Sequence, residues 1–310
     1  MDGTTRTRTV FIDGEAGTTG LGIAQRLAAH AGVTVRSIAP ERRKDPEARR
    51  EIMSEVDLVV LCLPDAAAKE SVALADSLGA KGPRVVDAST AHRTAPGWVY
   101  GFPEMAAGQA DAVRGARRVS NPGCYPTGAI ALIRPLVEAG LLPADWPVTV
   151  NAVSGYSGGG KSMIEAYEAR TAPDFELYGL GLEHKHLPEL QLHAKLSRRP
   201  IFVPSVGDFR QGMLVSVPLH LEALPAKPKA ADLEAALRTH FAGSRLVSVE
   251  TPDAGGKLEP QALNGTDRLE LRVYGNEAHR QAVLVARLDN LGKGASGAAV
   301  QNIELMLGLA

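Results

Sequence analysis

The sequence predicts an α/β protein in which a doubly wound parallel sheet is followed by an α+β half with a second, mostly antiparallel mixed sheet. The chain opens as strand, glycine-rich turn and helix over residues 9–29, and residues 57–63 are almost wholly apolar, as in a strand buried on both faces. In the C-terminal half, strands follow one another with few helices between them, which is typical of antiparallel pairing. These strands are predicted at 200–209, 212–221, 269–274 and 281–288.

The remaining elements follow from apolar spacing. Apolar residues recur at helical intervals in the segment after the glycine turn, and short β-branched runs bounded by polar residues read as strands. Further strands are predicted at 33–38, 84–87 and 147–153, and further helices at 65–78, after residue 124, from about residue 188, at 230–241 and at 298–307. These elements predict a first domain of residues 1–120 completed by 290–310, and a second domain of 121–289.

Length and charge narrow the class of protein. A chain of 310 residues can build two domains, and a formal net charge of −1 gives no basic field for nucleic acid or an anionic membrane. We find no apolar run of about 18 residues and no apolar signal segment at the N-terminus, so we expect no membrane span. Two cysteines do not form a disulfide framework, so we expect a reducing cytoplasm.

The first glycine turn is a candidate cofactor site. Gly14, Gly17 and Gly20 follow the first predicted strand, and Thr18 and Thr19 stand where the next helix begins. Glycines let the backbone approach a pyrophosphate, whose charge the helix N-terminus stabilises. The spacing is G-x-x-G-x-x-G rather than G-x-G-x-x-G, so a purely structural turn is the alternative.

The segment after the second predicted strand indicates which nicotinamide cofactor binds. An NAD enzyme would normally carry an acidic residue at the end of this strand for the ribose hydroxyl. Here Glu41 comes late and is followed by Arg42, Arg43 and Lys44. Three cations suit a 2′-phosphate and favour NADP, with Ser37 at the strand end nearby. A solvated loop is the alternative.

One cysteine stands in a context suited to chemistry. Cys124 lies in the stretch Ser-Asn-Pro-Gly-Cys-Tyr-Pro-Thr-Gly of residues 120–128, just before an apolar run with helical character. The positive end of a helix dipole at that position favours a nucleophilic thiolate. A buried structural cysteine is the alternative reading. Cys62, inside the apolar strand of residues 57–63, is interpreted as a core residue.

Three polar segments stand where ligands would bind. Arg93 follows the fourth predicted strand and could hold an anionic substrate group by a bidentate contact, or lie in an exposed loop. Residues 154–161 form a loop rich in glycine N–H donors whose spacing to its lysine does not fit a phosphate-binding P-loop. His184 and His186 flank a lysine and suit proton transfer or anion binding, with two surface histidines as the alternative. No third metal ligand is obvious nearby, so we expect no metal.

The chain resembles the N-acetyl-gamma-glutamyl-phosphate reductase family, in its shorter subtype. The resemblance rests on four motifs in the family's order: Gly-Glu-Ala-Gly-Thr-Thr-Gly at 14–20, the cysteine motif at 120–127, His-Lys-His-Leu-Pro-Glu at 184–189 and Asp-Asn-Leu-Gly-Lys-Gly at 289–294. The family usually has His-Arg-His where this chain has Lys185, and lysine lacks the arginine fork. The resemblance implies a Rossmann domain, a dehydrogenase-type α+β domain and a homo-oligomer, dimer or tetramer.

The resemblance also implies an activity and site residues. The activity is NADPH-dependent reduction of an acyl phosphate to an aldehyde through a cysteine thioester, in arginine biosynthesis. Cys124 would be the nucleophile, His184 or His186 the acid/base with a slight preference for His184, and Asn121 an oxyanion donor. Substrate contacts are assigned to Arg93, Glu189, Tyr156 and Ser157. Cofactor contacts are assigned to Gly14, Gly17, Thr18, Thr19, Gly20, Ser37, Arg42, Arg43, Leu63, Pro64, Ser89, Gly158 and Asn290.

Two other functions stay open from the sequence. A sister reductase acting on aspartyl phosphate or an N-acylated aminoadipyl phosphate would share the cofactor domain and the thioester, so only the substrate pocket would differ. A non-catalytic NADP-binding sensor would need neither Cys124 nor the two histidines.

Overall fold

The computed structural model describes residues 7–309, which form two compact units. The first unit comprises residues 7–103, 108–122 and 295–309, and the second comprises 104–107 and 123–294. Three details differ from the predicted boundaries. The first unit runs to residue 122 rather than 120, residues 104–107 belong to the second unit, and the C-terminal return to the first unit begins at residue 295 rather than 290. The expectation for the extreme N-terminus concerns residues 1–6, which lie outside the described residues.

The first unit contains a six-stranded sheet in which all paired strands are parallel. Its strands are β1 (Arg8–Asp13), β2 (Val33–Arg36), β3 (Leu58–Leu61), β4 (Arg84–Asp87), β5 (Val99–Tyr100) and β6 (Arg118–Ser120). The order is β2-β1-β3-β4-β6-β5, so the winding reverses between β1 and β3. Open α/β sheets bind ligands at the carboxyl ends of the strands beside such a reversal.

The second unit contains a seven-stranded mixed sheet in the order β11-β12-β13-β10-β7-β9-β8. Its strands are β7 (Thr149–Gly155), β8 (Phe175–Leu177), β9 (Ile201–Gly207), β10 (Met213–His220), β11 (Val247–Val249), β12 (Leu269–Asn276) and β13 (Gln281–Leu288). The pairs β7–β9 and β11–β12 are parallel, and the other neighbours are antiparallel. The predicted α/β class, with one parallel sheet and one mostly antiparallel mixed sheet, is confirmed.

The helices cover both faces of the first sheet and one face of the second. They are α1 (Thr18–Ala28), α2 (Pro46–Glu55), α3 (Asp65–Ser77), α4 (Gln109–Gly115), α5 (Cys124–Glu138), α6 (Lys161–Glu168), α7 (Leu187–His193), α8 (Ala230–His240) and α9 (Gly297–Leu307). One face of the first sheet buries Ile23 and Leu27 of α1 with Ile303 of α9, and the other buries Met53 of α2 and Val72 of α3. Helices α5 and α8 pack on the second sheet.

Local sequence explains where several elements begin. Asp45 caps α2 by accepting the backbone N–H of Glu47, and Pro46 occupies the first turn, where its missing N–H costs nothing. The predicted loop of residues 154–161 contains regular structure, because a 3₁₀ turn spans Tyr156–Gly159 and α6 begins at Lys161. Within residues 7–309, no helix combines the length and apolar character needed to cross a membrane.

Candidate functional site

The glycine turn between β1 and α1 has the geometry of a cofactor cradle. Gly14 adopts φ +91°, and a Cβ there would lie 2.3 Å from the carbonyl oxygen of Cys62. A Cβ on Gly20 would lie 2.5 Å from the carbonyl oxygen of Gly14, so both positions require glycine. A Cβ on Gly17 would meet its nearest atom at 3.5 Å, so packing within the protein does not require glycine there. Helix α1 begins at Thr18, one residue after Gly17, and its N-terminus suits a pyrophosphate.

One cavity adjoins this turn, and a second cavity shares Ile38 with the first. The first has a volume of about 190 Å³, and its lining includes Gly14, Glu15, Arg43, Lys44 and Leu63. The second has a volume of about 270 Å³, and its lining includes Arg36, Ser37, Arg42 and Glu51. Five of the predicted cofactor residues therefore line these cavities: Gly14, Arg43 and Leu63 the first, and Ser37 and Arg42 the second. The adenosine part of a dinucleotide cofactor that carries a 2′-phosphate fits this combination of apolar walls and cations.

The two neighbouring arginines are not equivalent. The Arg42 guanidinium donates to Oδ2 of Asp45 from Nε at 3.2 Å and from Nη2 at 3.1 Å. This hydrogen bond is the main cause that lowers the pKa of Asp45 below its ordinary value. Arg43 lines the cavity beside Gly14 and Leu63 instead.

The loops after β3 and β4 carry three more predicted residues. Pro64 is the N-cap residue of α3. Asp87, fully buried at the end of β4, accepts the backbone N–H and the hydroxyl of Ser89 at 2.9 and 2.7 Å. Its Oδ2 also lies 2.6 Å from Nδ1 of His92. Asp87 thus fixes the loop that ends in Arg93, which is 8% exposed.

The side chain of Asn121 has a structural role, which argues against the predicted oxyanion contact. Its Nδ2 donates to the carbonyl of Ala295 at 3.0 Å, and its Oδ1 accepts from Nδ2 of Asn302 at 3.1 Å. Asn302 also donates to the carbonyl of Gly101 at 2.9 Å. Both amide atoms bond within the protein, so we assign Asn121 to positioning the chain before the cysteine, and its predicted oxyanion contact stays a prediction.

Cys124 is the first residue of the 15-residue helix α5 and is half-buried. Gly123 is the N-cap residue, and its carbonyl accepts both the backbone N–H and the hydroxyl of Thr127. The N–H of Gly123 donates to Oε2 of Glu189 at 3.1 Å, and Glu189 is 1% exposed. Glu189 therefore positions the cysteine turn, which argues against the predicted substrate contact.

The two histidines lie close to the cysteine turn. His186 is the N-cap residue of α7, the helix that carries Glu189. Tyr125, the residue after Cys124, has its ring centroid 6.1 Å from that of His184 and 6.0 Å from that of His186. The structure thus brings the cysteine and both histidines to the adjoining N-termini of α5 and α7.

The surroundings of His184 limit the protons that its ring can exchange. The backbone N–H of His186 donates to Nδ1 of His184 at 3.1 Å, which assigns the ring proton of neutral His184 to Nε2. Burial, followed by the charge of Lys185, lowers the pKa of His184 to about 4. At neutral pH, His184 is therefore uncharged and its basic nitrogen already accepts a hydrogen bond, which argues against His184 as the base.

NMR titration of the imidazole nitrogens should therefore give a midpoint near pH 4 for His184. An unfolded histidine takes up its proton at about pH 6.5. The neutral folded form thus contributes stability above that pH, and the contribution is lost as the pH falls toward 4. Replacing Lys185 with Gln should raise the midpoint, because a neighbouring positive charge disappears. A His184 midpoint near 6.5 in the folded protein would contradict the assignment.

The polar residues of the segment after β7 bond to one another. Nδ2 of Asn290 donates to Oγ of Ser157 at 2.9 Å, and Oδ1 of Asn290 accepts the N–H of Gly212 at 2.8 Å. Ser157 is 3% exposed and Asn290 is 2% exposed. Gly158 lies against the same Asn290 amide, and the Tyr156 ring stacks on another tyrosine. Ser157 and Asn290 therefore have structural hydrogen bonds, and their predicted substrate and cofactor contacts stay predictions.

Some residues at the site carry no signal in the sequence. The hydroxyl of Tyr178 donates to that of Tyr125 at 2.9 Å, and Tyr125 donates to the carbonyl of Ser205 at 3.0 Å. Burial raises the pKa of Tyr178 to about 12, so its hydroxyl keeps its proton at neutral pH. Tyr178 lies in no motif, and only the three-dimensional contact reveals it.

The other cysteine differs in character. Burial, together with the charges of Asp87 and Asp13, raises the pKa of the Cys62 thiol to about 12, as expected for a core residue. Both cysteines are free thiols. Residues 7–309 contain no cluster of three metal-ligating side chains.

Comparison with known protein families gives two matches along this chain. The model of the semialdehyde dehydrogenase NAD binding domain matches residues 26–113, and that of the semialdehyde dehydrogenase dimerisation domain matches residues 124–290. The chain is 54% identical over 308 residues to an N-acetyl-gamma-glutamyl-phosphate reductase of Chelativorans sp. (strain BNC1), with 97% of this chain and 98% of that protein covered. The protein of the same description from Burkholderia lata is 53% identical, with 97% of each chain covered.

Solved structures of low sequence identity share the fold. Aspartate semialdehyde dehydrogenase II from Vibrio cholerae, complexed with ASA, superposes with a TM-score of 0.72 at 16% identity, covering 98% of this chain and 99% of that one. Aspartate semialdehyde dehydrogenase with NADP from Candida albicans gives a TM-score of 0.65 at 16% identity, covering 98% and 100%.

Proposed function

The chain belongs to the N-acetyl-gamma-glutamyl-phosphate reductase family of the semialdehyde dehydrogenases, and from that premise we propose the reaction it catalyses. The reaction is the reversible, NADPH-dependent reduction of N-acetyl-gamma-glutamyl phosphate to N-acetyl-glutamate 5-semialdehyde and phosphate, a step of arginine biosynthesis. One observation carries the assignment of the site. The hydrogen bond from Gly123 to Glu189 joins the helix start that bears Cys124 to the helix start that bears His186.

In the first half-reaction, Cys124 acts as the nucleophile. Its sulfur bonds to the acyl carbon, the bond from that carbon to the phosphate oxygen breaks, and a thioester replaces the acyl phosphate. The positive end of the α5 dipole stabilises the thiolate before the attack, and the same dipole would stabilise the developing oxyanion. Arg93 binds the phosphate group through its planar fork of donors.

In the second half-reaction, His186 handles the proton. When bound, NADPH supplies the hydride that reduces the thioester carbon. His186 donates a proton to the oxygen of the resulting thiohemiacetal and takes it back as the carbon–sulfur bond breaks, which releases the aldehyde and restores the thiolate. His184, whose pKa is low, stays neutral and orients His186 through its backbone N–H.

The cofactor residues support NADP over NAD. The pyrophosphate would lie on Gly14, Gly17, Gly20 and the start of α1, with Leu63, Pro64 and Ser89 along its path. Ser37, Arg42 and Arg43 would surround the 2′-phosphate. Arg43 would make the stronger contact, because Asp45 competes for Arg42.

Replacing Arg43 with Ala should raise the KM for NADPH by roughly 10- to 100-fold, the size of a lost charge-assisted hydrogen bond. The KM for NADH should stay unchanged, because NADH has no 2′-phosphate. The same change at Arg42 is the matched control and should have a smaller effect. An equal rise in both KM values for the Arg43 variant would contradict the assignment.

The substrate is tested by a panel of semialdehydes, assayed in the reverse direction with phosphate and either NADP or NAD. We expect the highest kcat/KM for the N-acetylated glutamate semialdehyde with NADP. Faster turnover of aspartate semialdehyde or of an N-acylated aminoadipate semialdehyde would identify a sister reductase instead. No turnover of any of the three would favour a cofactor-binding sensor.

The second sheet supports a homo-oligomer, dimer or tetramer. The sheet face opposite α5 and α8 carries a largely apolar cavity of about 660 Å³, lined by residues such as Val283, Val285 and Leu214. Phe175, Leu177 and Val283 around it are exposed, and the matching family model is described as a dimerisation domain. Light scattering of the purified protein measures its oligomeric state, and a monomer would contradict this proposal.

We also propose a cytoplasmic location, where the Cys124 thiol would stay reduced.

A further inference from the structure

Lys293 is a buried cation that the proposed mechanism does not use. The residue is 1% exposed, and its Nζ lies 2.7 Å from Oε2 of Glu104, whose side chain is 11% exposed. Burial lowers the pKa of Lys293, and the charge of Glu104 opposes that effect. Both residues belong to the second unit, although 189 positions separate them in the chain.

Lys293 stands between two glycines in close contact with their surroundings. A Cβ on Gly292 would lie 2.0 Å from the carbonyl oxygen of Thr266, and a Cβ on Gly294 would lie 2.9 Å from Cβ of Cys124. The N–H of Gly294 donates to the carbonyl of Asp289 at 3.0 Å. The backbone on either side of Lys293 therefore packs closely against the Thr266 carbonyl and against Cys124.

The turn around Lys293 has an unusual geometry. Residues Gly292–Ser296 form a π-helical turn. Such turns are rare in proteins, and those that do occur are frequently found at functional sites. A buried ammonium is costly to leave unpaired, so Lys293 cannot move from Glu104 without a large loss of free energy. The ion pair therefore holds the turn, and with it Gly294, at a fixed distance from Cys124.

We propose that Lys293 and Glu104 are positioning residues for the nucleophile: their ion pair fixes the π-helical turn so that Gly294 forms the wall against which the Cys124 side chain is held. Neither residue touches the substrate; both act through Gly294. The inference rests on the proposed role of Cys124, and its readout is the reactivity of that thiol, which does not depend on the identity of the substrate.

The test uses the full-length variants Glu104→Gln and Lys293→Met/Glu104→Gln. The double variant removes both charges of the ion pair and leaves no buried ammonium unpaired, so we expect it to fold even where the single variant does not. For each, circular dichroism checks the fold, and mass spectrometry follows alkylation of Cys124 by iodoacetamide from pH 6 to 9. We expect alkylation at least about 10-fold slower, or its pH profile displaced, with a similar fall in kcat and an unchanged KM.

Two further variants sharpen the test. Gly294→Ala should lower kcat in the same way, because its methyl group would displace the Cys124 side chain. Glu138→Gln breaks ion pairs at the opposite end of α5 and should leave alkylation and kcat unchanged. Folded Glu104 and double variants with wild-type alkylation and kcat would overturn the proposal. Slower alkylation in these variants, together with full activity of a Cys124→Ser variant, would overturn the proposed mechanism but not the positioning.

Discussion

Cys124→Ser should abolish the reductase activity, with kcat/KM falling on the order of 10⁴-fold or more, the scale seen when a catalytic nucleophile is removed. A serine hydroxyl is far less acidic than a thiol, so the dipole of α5 cannot make it a nucleophile at neutral pH. The measurement is phosphate-dependent reduction of NADP with N-acetyl-glutamate 5-semialdehyde. Cofactor affinity, measured separately by fluorescence, should be unchanged.

Cys62→Ser is the matched control for this experiment. The Cys62 thiol keeps its proton at neutral pH, since its pKa is raised to about 12 by burial, and it serves no step of the proposed mechanism. We expect the control variant to retain activity at the wild-type level. Near-normal activity of the Cys124 variant would reject the covalent mechanism, and loss of activity in the Cys62 variant alone would show that the wrong thiol had been chosen.

Local sequence was enough to predict the fold class and the glycine turn after β1. The strand–glycine turn–helix pattern of residues 9–29 depends on backbone geometry that few residues besides glycine allow. The turn at Gly14 can therefore be predicted from the sequence. The apolar run ending in β3 is likewise a local consequence of burial on both sheet faces. The semialdehyde dehydrogenase family was predicted from motifs that span the chain, and the comparisons confirm it.

The roles of individual side chains were harder to predict, because they depend on contacts between distant parts of the chain. Glu189 binds a backbone N–H 66 positions away, and Asn302 binds Asn121 across 181 positions. A motif shows that a polar residue is present but not whether its hydrogen bonds are already used. For that reason the sequence suggested ligand contacts for Glu189, Asn121 and Asn290, whereas the structure uses them as internal supports.

The choice between His184 and His186 also depends on a contact that the sequence does not show. The two histidines of the motif are chemically alike in the sequence, and only a backbone hydrogen bond between them separates their roles. Neither the periodicity nor the composition of the sequence indicates which ring nitrogen accepts that hydrogen bond. Only the three-dimensional structure shows it.

Gly14→Ala should destabilise the protein by about 3 kcal/mol, through a strained positive φ and a clash with a backbone carbonyl. The added methyl group would lie 2.3 Å from the carbonyl oxygen of Cys62, and the backbone there is fixed because β3 pairs with both β1 and β4. Chemical denaturation measures the loss. Cofactor affinity should fall as well, because relief of the clash moves the turn that would bind the pyrophosphate.

Gly17→Ala tests cofactor binding at the same turn with little expected effect on stability. Its φ of −77° suits any residue, and the nearest atom to an added Cβ is 3.5 Å away, so stability should change by less than about 1 kcal/mol. If the turn cradles a pyrophosphate, the methyl group occupies space that the cofactor needs, and the KM for NADPH should rise by about 10-fold or more. A Gly17 variant with normal KM would mean that the turn serves only the packing of α1 on the sheet. An unstable Gly17 variant would contradict the described backbone geometry.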